Sequence, residues 1–170
     1  MKTNDAFLKI IEEIRYALEI ELYHCALALA LTLPDICCKV EYPSGESNKA
    51  RYIKWLHVYA EPYFTVDTEV LTDNTTKEYN WFPNAECYAL RCAVLHAGNY
   101  ELEKTSLSIV EIHAHKRDGN NYSHMVKGDN YVDWDVIHLC ETLCLAAEKY
   151  YLNSNKKDEF NVAKIRIDNW

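Results

Sequence analysis

The segment from Asn84 to Asn99, NAECYALRCAVLHAGN, constrains the fold most because it predicts a short apolar helix that carries an arginine. Asn84 is a good N-cap, and Gly98 can end the helix. The residues between them are almost wholly apolar, and a helix that is apolar on every side is normally buried. A guanidinium cannot shed its charge, so Arg91 needs an acidic partner, a water-lined cleft or a subunit boundary.

His96 is the second polar group on this helix, and its position relative to Arg91 predicts a dimer. At about 100° per residue, the two side chains lie roughly 140° apart around an α-helix axis. One α-helix therefore does not point both groups at one spot. Two copies that meet across a two-fold axis would bring Arg91 of one chain near His96 of the other. In the last turn, the helix dipole also stabilises an imidazolium.

The hexapeptide RCAVLH, from Arg91 to His96, resembles the R-x4-6-H motif of the HEPN superfamily. The upstream segment LALALTLPDICCKVEYP (Leu27 to Pro43), followed by RYIKWLHVY, is similar to bacterial HEPN-like proteins of uncharacterised function. The resemblance covers most of the chain outside residues 100–132. It implies a helical bundle and a site shared between two protomers.

The same pair predicts metal-independent cleavage of RNA, and the resemblance implies an enzyme of the toxin or defence type. Neutral His96 would take the proton from a ribose 2′-OH, and Arg91 would bind the adjacent phosphate. The HEPN ribonucleases imply this same chemistry, which leaves a 2′,3′-cyclic phosphate and a 5′-OH end. In many active members a polar residue follows the arginine, whereas Cys92 stands there in this chain. The resemblance further implies an antitoxin or a nucleotidyltransferase as partner protein.

Other interpretations of these residues stay open on the sequence alone. Arg91 can form a buried ion pair with an acid such as Glu86 or Asp35, while His96 caps its own helix. The chain would then be a non-catalytic HEPN-like module that binds a nucleotide or a protein, or a plain helical scaffold. A catalytic pair of Cys92 with His96 is less favoured than a packed thiol.

The rest of the chain predicts a mainly α-helical, up-and-down bundle of about four to five helices in a single domain over residues 1–170. Residues 105–127 predict a β-hairpin inserted into it, since β-branched residues precede the turn signal Asp118-Gly119. We expect Thr65 to Pro83 to form a long connection. The predicted helices run from Asn4 or Asp5 to about Leu18, from Tyr23 to Leu33, briefly after Pro34, from Asn48 to Ala60, and from Asp133 or Asp135 to about Leu152.

A formal net charge of −8 argues against broad, charge-driven binding of nucleic acid. A localised contact remains open at Lys49, Arg51 and Lys54, which make the start of one predicted helix basic. Aromatic residues from Tyr52 to Tyr59 interleave with them and could stack on bases. The alternative, which we favour, is that the aromatic residues belong to the core and the cations face water.

The seven cysteines, an odd number, predict reduced thiols in a cytoplasmic protein. We see no secretory signal, and the longest apolar run, Cys25 to Leu31, is too short to span a bilayer. We therefore expect no membrane association.

A metal site is conceivable at His113 and His115 with His124 across the predicted hairpin, because residues two apart on a strand share a face. No cysteine or carboxylate completes a known ligand spacing with them. We therefore expect a solvent-facing strand edge, with no metal and no cofactor.

Overall fold

The computed structural model describes residues 5–64, 84–100, 109–114, 125–127 and 131–163. It confirms a mainly helical protein arranged as a helical bundle. Its α-helices are α1 (Ala6–Glu19), α2 (Tyr23–Ala30), α3 (Leu33–Glu41), α4 (Asn48–Trp55), α5 (Asn84–Cys92) and α6 (Val136–Asn153). Two short π-helical segments follow α4 and α5, at Leu56–Ala60 and Ala93–Ala97. Two short 3-10 segments lie at Glu61–Tyr63 and Lys157–Glu159.

Side-chain caps fix where helices α1 and α6 begin. The Asp5 carboxylate accepts a hydrogen bond of 3.0 Å from the backbone N–H of Phe7, at the start of α1. Asp135 does the same for the N–H of Ile137 at the start of α6, also at 3.0 Å. Each cap satisfies an amide that has no partner within the helix. The sequence predicted both starts, with Asp5 and Asp135 among the candidate caps.

Helix α6 is the centre of the bundle. It contacts α1, α2, α3 and the π-helical turn after α4. Most of its side chains are buried, on more than one face, as expected for a helix surrounded by others. The largest fully buried side chains of the core include Trp55, Trp134, Tyr52 and Phe7.

The stretch Tyr23–Glu41 is the one segment of the described residues that is long and apolar enough to cross a membrane, with 19 residues and a mean hydropathy of 1.3. Half of that window is buried inside the protein. Two turn residues, Leu31 and Thr32, interrupt it between α2 and α3. This pattern is compatible with the core helix of a soluble protein.

The predicted hairpin is wrong in its pairing. Strands β1 (Ile109–His113), β2 (Met125–Lys127) and β3 (Tyr131–Asp135) form one sheet in the order β1-β3-β2. β3 pairs in parallel with β1 and antiparallel with β2, so it lies between the two strands expected to pair with each other.

Strand β3 is the central strand of the sheet. Val132 and Trp134 on one of its faces are buried, and its backbone pairs with a neighbour on both edges. This strand was not predicted from the sequence, where residues 131–135 were expected only to lead into α6. The turn signal at Asp118-Gly119 and the connection from Thr65 to Pro83 lie outside the described residues.

Candidate functional site

The end of α5 widens into a π-helical turn, and this turn aligns Arg91 with His96. After Cys92, the turn Ala93–Ala97 closes with the N–H of Gly98 bonded to the carbonyl of Ala93. Gly98 has φ 66°, a left-handed conformation that glycine adopts without steric strain. In a π-helix hydrogen bonds span five residues, so residues five apart lie closer to one face than they do in an α-helix.

Arg91 and His96 are five residues apart and therefore meet within one chain. Nη1 of Arg91 lies 3.0 Å from Nε2 of His96. The expectation that the two groups diverge by roughly 140° is wrong, because it holds only for an unbroken α-helix. A second chain is not needed to bring them together.

The guanidinium also binds Asp35, in the first turn of α3. Nε of Arg91 donates to Oδ2 of Asp35 at 2.7 Å, and the two side chains are only 22% and 15% exposed. Of the two acids considered from the sequence, Asp35 is the partner found. The ion-pair alternative is thus correct for Arg91, whereas His96 stays beside the cation and does not point elsewhere.

The contact between Arg91 and His96 leaves one choice of acceptor. A guanidinium has N–H donors and no acceptor, so a hydrogen bond between the two groups needs Nε2 of His96 as the acceptor. Carboxylate, guanidinium and imidazole therefore lie in a row, and of the three side chains only His96 is in the exposed class.

Burial and the neighbouring negative charge shift the pKa of Arg91 in opposite directions. Burial acts to lower its pKa, but the hydrogen bond and the negative charge of Asp35 outweigh burial, so the pKa lies above its usual value. Tyr88, one turn before Cys92, has a pKa raised by burial and by its contact with that thiol. The Tyr88 ring packs edge-on against the buried ring of Tyr52, at 5.3 Å between centroids. The site thus combines a permanent cation with a pair of packed tyrosine rings on the same helix and its neighbour α4.

The basic residues Lys49, Arg51 and Lys54 lie near the corner between α3 and α4. Nη1 of Arg51 donates to the backbone carbonyl of Tyr42 at 3.0 Å, which satisfies the end of α3. Nζ of Lys54 lies 4.5 Å from the centre of the Tyr42 ring and 3.4 Å from Oε1 of Glu46. Two of the three cations therefore have local structural contacts, while Lys49 is exposed.

The aromatic residues of α4 do not serve as a stacking surface. Tyr52 and Trp55 are buried, and the Tyr52 hydroxyl donates to the carbonyl of Leu31 at 3.0 Å. This confirms the favoured interpretation that they belong to the core.

His113 lies on β1 beside two carboxylates that the sequence analysis did not connect with it. Its Nδ1 is 3.1 Å from Oδ2 of Asp133, and its Nε2 is 3.7 Å from Oε2 of Glu111. The spacing of Glu111 and His113 on one strand could have been recognised in the sequence as two ligands on one face. Asp133 joins them only through the register of β1 against β3. His115 and His124 lie outside the described residues.

The structure also has a cavity of about 310 Å³ that was not predicted from the sequence. The Glu41 carboxylate in its wall accepts hydrogen bonds of 2.9 Å from the hydroxyls of Tyr59 and Tyr150. Burial, and then the contact with Glu41, raise the pKa of Tyr59 to about 12. The three residues come from α3, the π-helical turn after α4, and α6, so no local pattern marks them.

The cysteines are free thiols, as the sequence predicts. Five of them are buried, Cys92 is half-buried and Cys25 is exposed. Burial raises the pKa of Cys38 to about 11 and that of Cys144 to about 12. Such thiols stay protonated at neutral pH and serve as core packing.

Comparison with known proteins finds no family model, no curated protein and no solved structure that matches this chain. The resemblance to the HEPN superfamily therefore stays a prediction from the RCAVLH motif.

Proposed function

We propose that this protein is a metal-independent endoribonuclease of the HEPN type, of the toxin or defence class, with Arg91 and His96 as its catalytic residues. The observation that carries the proposal is the 3.0 Å contact between Nη1 of Arg91 and Nε2 of His96. A fixed cation beside a neutral imidazole supplies the two functions that RNA transesterification needs. One group binds the phosphate and the other accepts a proton.

His96 would act as the general base. The ribose 2′-OH would replace Arg91 as the donor to Nε2, and the imidazole would remove its proton. The 2′-oxygen would then attack the adjacent phosphorus as the bond to the 5′-oxygen breaks. The proton held by His96 would go to the leaving 5′-oxygen. The products are a 2′,3′-cyclic phosphate and a 5′-OH end.

Arg91 would bind the phosphate undergoing attack. Asp35 holds its Nε, so the guanidinium plane is fixed while the remaining N–H groups can reach the phosphate oxygens. Because Asp35 keeps the guanidinium in place before RNA arrives, little ordering is required at the moment of reaction.

The surroundings of the site complete the proposal. A cytoplasmic homodimer through α5 would place a second Arg91–His96 pair across the two-fold axis. Lys49, Arg51 and Lys54 would contact phosphates further along the RNA, which suits a chain whose net charge of −8 disfavours broad binding. An antitoxin or nucleotidyltransferase would be the regulatory partner protein.

The test is cleavage of single-stranded RNA in the presence of EDTA, with analysis of the product ends. We expect cyclic-phosphate and 5′-OH ends, and a loss of about 100-fold or more in rate for His96→Ala, as for removal of a general base. Arg91→Lys, which keeps the charge but loses the planar fork, should also be impaired. His57→Ala removes another exposed imidazole and should cleave normally. Cleavage that survives in His96→Ala would refute the proposal.

A second candidate function is a non-catalytic module that binds a nucleotide or a protein. The Asp35–Arg91 ion pair favours it, because an arginine already paired with an acid binds phosphate less strongly. If the protein is such a module, nucleotides should raise its melting temperature and Arg91→Ala should abolish that rise. RNA incubated with the protein should stay intact.

A further inference from the structure

Three side chains able to bind a metal converge where β1 pairs with β3. Glu111 and His113 are two residues apart on β1, so they share one face of the sheet. Asp133 lies directly opposite Glu111 in the parallel register. The alternate residues Val132 and Trp134 are buried in the core, so this triad occupies the opposite face from them.

The distances within the triad suit a single ion. Nδ1 of His113 is 3.1 Å from Oδ2 of Asp133, and Nε2 is 3.7 Å from Oε2 of Glu111. One ligand atom from each residue lies within 4.8 Å of the other two. Ligands about 2.1 Å from a tetrahedral zinc ion are about 3.4 Å from one another. Small side-chain rotations would therefore bring one ring nitrogen and two carboxylate oxygens around one ion.

The charges of the triad also favour a cation. Glu111 and Asp133 are carboxylates directly opposite each other on neighbouring strands, an arrangement that destabilises a sheet. Among the residues that the structure describes, Oδ1 of Asp133 is buried and accepts no hydrogen bond. A buried oxygen of this kind is unfavourable until a donor or a cation reaches it. Two carboxylates beside one imidazole leave the triad negative in either charge state of the ring, and a divalent ion balances that charge.

We propose that Glu111, His113 and Asp133 bind a divalent transition-metal ion of the Zn²⁺ class, which joins β1 to β3. An imidazole nitrogen with two carboxylate oxygens favours zinc over Mg²⁺ and Ca²⁺, which prefer oxygen ligands alone. Water would supply the fourth ligand. Because the ligands come from two strands that are distant in sequence, binding would stabilise the folded sheet. This site is separate from Arg91 and His96 and does not depend on the ribonuclease proposal.

The test is titration of metal-free, full-length protein with zinc chloride, followed by calorimetry and thermal unfolding. We expect one ion per chain with a dissociation constant in the micromolar range or below, and a rise in melting temperature that Mg²⁺ does not reproduce. His113→Ala should weaken binding by at least about tenfold, as for loss of one ligand. His57→Ala, which removes an exposed imidazole beside the Glu61 carboxylate, should leave binding unchanged.

Cysteine ligation is excluded with Co²⁺ as the probe. Thiolate ligands give intense charge-transfer absorption in the near ultraviolet, whereas nitrogen and oxygen ligands give only weak visible bands. We expect only the weak bands, and their loss in Asp133→Asn, with circular dichroism confirming that this variant folds. The proposal is overturned by strong thiolate bands, by zinc affinity that is unchanged in His113→Ala, or by the absence of zinc binding in the native protein.

Discussion

Arg91 is the residue on which the candidate site depends, since it contacts both Asp35 and His96. Asp35 holds the guanidinium in place, and the guanidinium in turn contacts Nε2 of His96. The same ion pair joins the start of α3 to the end of α5. At the scale of single residues, the Asp35 carboxylate therefore both joins two helices and positions the guanidinium for the proposed chemistry.

Asp35→Asn should lower the free energy of unfolding by about 1–3 kcal/mol, the usual range for a lost hydrogen bond between charged groups. The variant keeps the shape of the side chain but leaves Arg91 without its counter-charge. Urea unfolding followed by circular dichroism measures the change. Glu86→Gln, which removes an acid from the first turn of α5, is the matched control and should change stability by less than about 0.5 kcal/mol. Equal effects of the two substitutions would contradict the assigned role of Asp35.

At the scale of elements, helix α6 is held to α1 by an ion pair with two hydrogen bonds. Arg15 donates through Nη2 to Oε2 of Glu148 at 2.7 Å and through Nη1 to Oε1 at 3.3 Å. The hydrogen bond and the charge of Arg15 outweigh the opposing effect of burial and lower the pKa of Glu148 below its usual value of 4.5. Both side chains are about a third exposed, so water screens the pair and limits its contribution.

The Arg15–Glu148 pair should make stability fall in acid. The pKa of Glu148 is lower in the folded than in the unfolded chain, so the unfolded chain takes up the proton first as pH drops below 4.5. The contribution, less than about 1 kcal/mol, is present above that pH and lost below it. Glu148→Gln should therefore be less stable than the native protein at pH 7, and the difference should narrow as the pH falls below 4.5, measured by urea unfolding. Glu13→Gln, an exposed position on α1, should show no such convergence.

At the scale of the whole molecule, the proposal includes a homodimer formed through α5. Leu95 on its π-helical turn is 37% exposed and adjoins His96. A large apolar side chain in that position, beside a polar pair, suits the centre of a small interface.

We expect a homodimer by light scattering at micromolar concentration. Leu95→Asp should convert it to a monomer, because it would bury two like charges at the two-fold axis. Leu152→Asp, at the 50% exposed Leu152 near the end of α6, should remain a dimer. A native protein that is monomeric under these conditions would remove the site shared between protomers and leave the pair within one chain.

Much of the helical framework could be predicted from the sequence because its signals are local. Asp5 and Asp135 mark helix starts within a turn of themselves, and Gly98 marks the end of the helix that carries Arg91. The cation in an apolar helix, and its need for a partner, follow from composition and charge alone. The strand at Ile109–His113 also follows from its β-branched residues.

Tertiary structure decided which groups meet, because those contacts join residues far apart in the chain. The packing of the bundle brings Asp35 rather than Glu86 to Arg91, and it places β3 between β1 and β2. The π-helical turn, a deviation in backbone geometry with no local sequence signature, placed His96 on the face of Arg91. Sequence thus determined most of the helices and the charged group, while long-range packing determined the partners of that group.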